Sequence, residues 1–101
     1  MNSATAPDDC RTMTEVRAGV DALDRELVAL FARRFAYMRA AARIKPERGM
    51  VRDEARKTAV IAAAGIEADR LGAPAERIAA LWEALVESSI AYELERWDAQ
   101  I

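Results

Sequence analysis

The sequence contains no histidine, a single cysteine (Cys10), four glycines and three prolines in 101 residues. Without histidine there is no imidazole to act as general acid, base or metal ligand. A lone thiol builds neither a Cys/His zinc site nor a disulfide framework, so no metal is expected. Four scattered glycines make no phosphate-cradling loop. One cysteine fits a reducing compartment, and a cytoplasmic location is expected. Residues 1–10 carry acids and no apolar run, so neither a secretory signal nor a transit peptide is expected there. No uncharged apolar stretch approaches the roughly 20 residues of a membrane helix, so no membrane association is expected. This length suits one domain over 1–101, with about residues 1–11 as a flexible start.

What is present is charge, unevenly placed. The net charge is −2, yet nine Lys and Arg residues between Arg33 and Lys57 face only three acids. That window carries +6 and leaves −8 on the rest of the chain. Such segregation suggests an anionic ligand near the centre. The alternative is a solvated basic helix face.

The composition is also helical, with 23 alanines and few β-branched residues. From Val16 the apolar positions step through Val20, Leu23, Leu27 and Leu30 to Tyr37/Met38 and Ala41, alternating fours and threes. Thr12 with Glu15 forms a capping box before this run, and Pro46 disfavours helix at Lys45. A first helix over about 13–45 is expected. Asp53 is placed to cap a second helix reaching about Leu71, where Gly72 stops it. Pro74 suits the start of a third helix. That helix carries Ile78, Leu81 and Leu85 on one stripe and Trp82, Val86, Ser89, Glu93 and Trp97 on its neighbour. The fold class is all-α: three helices with a long first one.

A helix of that length spans about 50 Å, against a radius of gyration of about 13 Å for a compact chain of this size. Two shorter helices cannot cover its stripe, so a homodimer with paired long helices is expected. Continuing the stripe by fours places Arg34 and Lys45 where apolar residues were due. They are 11 residues apart, which returns to within roughly 20° of one direction. A buried cation needs an anion, and the inner stripe of the third helix offers Glu93, one turn after Ser89. Arg56 adds another cation in the first turn of the second helix. Three cations against one carboxylate suggest a small ligand with more than one negative charge; a register-holding ion network is the alternative. Arg17 is too far along the helix to reach the same ligand within one chain, but an antiparallel partner could deliver it.

Val16-Arg17, Val20-Asp21, Leu23-Asp24, Leu27, Arg33-Arg34, Lys45 and then Val51-Arg52-Asp53 with Arg56 together resemble the all-helical chorismate mutase family, over about residues 8–98. The resemblance implies two intertwined chains and a small dianionic substrate. The reaction it implies is the pericyclic rearrangement of chorismate to prephenate, which needs no cofactor. It further implies that Arg17 comes from the partner subunit to hold a substrate carboxylate, and that Arg34 and Arg56 hold a carboxylate as well. Lys45 would donate to the ether oxygen, Asp53 would place the ring hydroxyl, and Ser89 would lie close to the substrate. Glu93 stands where many members have a glutamine that donates a second hydrogen bond to the ether oxygen. Glutamate donates only when protonated, so activity should decline as pH rises.

Lys57 is a second departure, at a position where mutases often place a glutamate that binds the ring hydroxyl. The Pro7-Asp8-Asp9-Cys10 start, Tyr37 and the spacing of Ile90-Ala91 to Trp97 resemble a related branch, the isochorismate-pyruvate lyases, which release pyruvate and leave salicylate. A non-catalytic helical dimer binding an anionic partner is the reading from another class. Nucleic acid is not expected as that partner, because Arg34 and Lys45 point inward whereas phosphate contacts need exposed cations.

Overall fold

A computed structural model describes residues 4–100. Among them there are three α-helices and no strand: α1 (Met13–Ile44), α2 (Glu54–Arg70) and α3 (Ala75–Asp98), with 3-10 turns at Pro7–Asp9 and Arg48–Met50. None of the described helices is long and apolar enough to cross a membrane. The all-α expectation holds, and the helix boundaries fall within a residue or two of those read from caps and breakers. The chain divides into two compact units, Met1–Arg34 and Phe35–Ile101.

In the first unit the expected capping box starts α1. Glu15 N donates to Thr12 Oγ1 at 3.2 Å, and Thr12 N donates to Glu15 Oε1 at 3.0 Å. The same carboxylate also accepts from Arg11 N at 2.9 Å and from Thr5 Oγ1 at 3.2 Å. These donors hold the Glu15 carboxyl below its ordinary value, the Arg11 amide foremost. Residues 4–7 and Cys10 run beside α1, and with Val16, Gly19, Val20 and Leu23 they line a half-open pocket of about 340 Å³. Along α1 the apolar stripe stays open: Val20, Leu23, Leu27 and Leu30 are all about half exposed. Among the described residues of this unit only Ala22 is buried.

The second unit packs around α3. Val51, Val86 and Ile90 are buried, with Val60, Ile61, Trp82, Leu94 and Trp97 against them. Each such aliphatic side chain contributes about 1.5–3 kcal/mol when fully removed from water. The stripe from Trp82 to Trp97 therefore faces the core, as its spacing predicts. Leu81 departs from expectation: it is exposed, so the buried face of α3 is narrower than two full stripes. The end of α1 is tied down by polar groups that satisfy carbonyls left over by helix geometry. Trp97 Nε1 donates to Lys45 O at 3.1 Å and Gln100 Nε2 to Ala42 O at 2.8 Å. Phe35 meets Tyr92 edge to face at 5.2 Å between centroids, and Arg39 donates to the Tyr92 hydroxyl at 3.1 Å. Helix α2 ends in a paired-carbonyl cap, Ala73 N to Ala68 O at 2.8 Å and Gly72 N to Asp69 O at 3.1 Å. That cap requires the left-handed backbone of Gly72, whose φ is 74°. Pro74 falls at the N-cap of α3, one residue outside the helix.

Candidate active site

Lys45 follows the last residue of α1, where Pro46 stops the helix and Trp97 holds the Lys45 carbonyl. The half-buried ammonium lies 2.7 Å from Glu93 Oε2 on α3. Glu93 is 4% exposed. It sits there because its place in the α3 stripe, between Ile90 and Trp97, belongs to the core. A carboxylate in that position needs a cation. The contact is an ion pair, and among the described residues the buried Oε2 accepts no hydrogen bond. A pair of this kind offers a ligand one fixed donor and one buried oxygen with remaining hydrogen-bonding capacity.

Ser89 lies one turn before Glu93 and is 2% exposed, with its hydroxyl donating to Leu85 O at 2.7 Å. Asp53 caps α2, its Oδ1 accepting from Arg56 N at 2.9 Å. Asp53 and Arg56 are both exposed at the start of that helix. The structure thus brings together Lys45 and Glu93, with Ser89 a turn away on the same helix, and joins Asp53 to Arg56 through the cap. Arg17, exposed, and Arg34, half-buried, belong to the first compact unit.

The charge window between Arg33 and Lys57 resolves in part into specific ion pairs with carboxylates of α2 and α3. Arg48 Nε donates to Asp98 Oδ1 at 2.8 Å, and its NH2 group to Oδ2 at 3.1 Å. Arg52 grips both oxygens of Glu87, at 2.8 and 3.0 Å, and reaches Glu54 at 2.9 Å. Lys57 Nζ lies 2.8 Å from both Glu83 and Glu87. The Arg52 guanidinium, and then the Lys57 ammonium, hold the Glu87 carboxyl down at about 2. The reciprocal effect raises Lys57, through Glu83 first and Glu87 second, and raises Arg52. The available signal was Glu83 and Glu87 one turn apart on α3, an acidic pair with no basic neighbour one turn away on its own helix.

The site is thus an ion pair in an all-helical chain, a lysine at the end of the long first helix set against a buried carboxylate on the third. Comparison with known sequences gives the family. The chain belongs to the chorismate mutase type II family, whose model matches residues 16–94. The matched span contains Arg17, Arg34, Lys45, Asp53, Arg56, Ser89 and Glu93. The isochorismate pyruvate lyase of Pseudomonas aeruginosa is 25% identical over 91 residues, covering 90% of each chain.

Proposed function

We propose that the protein is a chorismate mutase that converts chorismate to prephenate by shape and charge complementarity. The observation that carries this is the Lys45–Glu93 pair, a cation held at 2.7 Å from a carboxylate that is almost fully buried. In the rearrangement the ether C–O bond breaks as a new C–C bond forms. Six electrons move in one ring, and no nucleophile or proton relay takes part. Negative charge grows on the ether oxygen, and Lys45 donates to it. A preorganised donor of this kind is worth about 10²–10³ in rate. Glu93 supplies a second donor when protonated. Arg34 and Arg56 hold one substrate carboxylate, and Arg17 from the partner subunit holds a carboxylate as well. Asp53 orients the ring hydroxyl and Ser89 borders the ligand. Holding the reactive compact conformer supplies the rest of the acceleration.

This reading includes a homodimer. The half-exposed Val20, Leu23, Leu27 and Leu30 stripe supports it, since contiguous apolar surface of this sort marks an interaction face.

The second reading is isochorismate-pyruvate lyase, favoured by the named relative and by Lys57. Lys57 is engaged by Glu83 and Glu87 and offers a ring hydroxyl no acceptor. Purified protein incubated separately with chorismate and isochorismate distinguishes the two. Prephenate from the first supports the mutase; salicylate plus pyruvate from the second, without prephenate, supports the lyase. Turnover of neither overturns both. Under the mutase reading Glu93→Gln, whose amide donates a hydrogen bond without first acquiring a proton, retains or raises prephenate formation. A loss of activity in that variant would count against the role given to Glu93.

A further inference from the structure

The connection between α1 and α2 begins at Lys45 and ends at Asp53, so both of its ends are site residues. It is attached to α3 along its whole length. The Lys45 carbonyl accepts from Trp97, and Arg48 makes a two-point pair with Asp98. Val51 is buried with Val86 and Ile90, and Arg52 makes a two-point pair with Glu87. Moving forward through the connection, the α3 partners run from Trp97 and Asp98 back to Glu87. The segment therefore lies antiparallel on α3 as a strap. Glu87 takes Arg52 from the strap and Lys57 from the first turns of α2 together.

We propose that Glu87 and Asp98 are positioning residues: they clamp this strap in its binding-competent form before any ligand arrives. Lys45 and Asp53 are then presented without an ordering step on binding. The lysine at position 57 serves this clamp, which accounts for its being directed at α3's carboxylates. The consequence for the site rests on the function proposed above; the clamp itself does not.

An unclamped strap lowers the fraction of molecules competent to bind, and apparent affinity falls in proportion. Saturating substrate restores the closed form, so turnover at saturation is retained. Glu87→Gln keeps the shape of the side chain and removes its charge. If it leaves about a third of molecules closed, KM rises about threefold while kcat stays within about twofold. In the free variant, hydrogen exchange quickens at the Met50 and Val51 amides, which bond to Glu47 O and Arg48 O at 3.1 Å. Amides of the α3 core keep their protection. Arg48→Asp should behave alike, and Asp98→Arg added to it should restore wild-type exchange and KM.

Unchanged exchange at Met50 and Val51 in both Glu87→Gln and Arg48→Asp overturns the proposal. So does a fall in kcat at constant KM. If neither chorismate nor isochorismate is turned over, the proposed function fails, and the exchange measurement still decides whether the clamp exists.

Discussion

Two cations share the Glu87 carboxylate and hold its pKa at about 2, well below the ordinary 4.5. A folded value below the unfolded one means that the network stabilises the fold above about pH 4.5. That contribution disappears as pH falls toward 2. Thermal unfolding followed from about pH 5 to about pH 2.5 should show a steeper fall in midpoint for the wild type than for Glu87→Gln. Parallel curves would contradict the assignment. Lys45 is the complementary case, because its removal strands a carboxylate that is 4% exposed. Lys45→Met should cost about 1–3 kcal/mol in urea unfolding, the range for an unpaired buried polar group. Glu93→Gln in the same background should recover part of that loss. Activity should fall about 100-fold or more if Lys45 donates to the ether oxygen. These residue-scale facts were partly legible in the sequence. Lys45 and Glu93 interrupt apolar stripes at known periods, so their burial could be read. Arg48, Arg52 and Lys57 occupy no such stripe, and their partners lie 50, 35 and 30 residues away.

At the scale of single elements, caps and stops explain why helix limits could be read closely. Thr12 and Glu15 satisfy each other's neighbouring amides, Asp53 satisfies the Arg56 amide, and Gly72 admits the one left-handed residue needed after α2. All are local bonds spanning at most a few residues, so sequence order alone puts the partners in reach. Asp53 has two assigned tasks that substitution can separate. Asparagine also caps well, so Asp53→Asn should leave stability nearly unchanged, whereas Asp53→Ala should cost about 1 kcal/mol. If Asp53 also orients the ring hydroxyl, both variants should lose activity. Full activity in Asp53→Asn alongside a destabilised Asp53→Ala would leave it a cap only. The width of the buried face of α3 was less legible. Leu81 has the spacing of a core residue, yet a helix face is buried only where another element covers it.

For the molecule as a whole, the open stripe of α1 has the most direct consequence. Val20, Leu23, Leu27 and Leu30 remain about half exposed in the single chain. Under the proposed function a second copy covers them and contributes Arg17. Leu23→Asp with Leu27→Asp should shift sedimentation from dimer to monomer and remove activity together. A variant that remains dimeric, or a fully active monomer, would separate assembly from catalysis. Arg17→Ala should keep the dimer and lose activity.

By itself the sequence determined the helical class, the starts of the three helices and the ends of the first two. Those follow from periodicity, local capping and residue chemistry, which act over a few positions and survive without coordinates. Only the tertiary structure decided which charges meet. It turned a +6 segment into particular pairs, set Lys45 against Glu93, and laid the strap between Lys45 and Asp53 along α3. Ion pairing depends on distances between elements far apart in the chain, and long Lys and Arg side chains leave many partners possible until packing selects one.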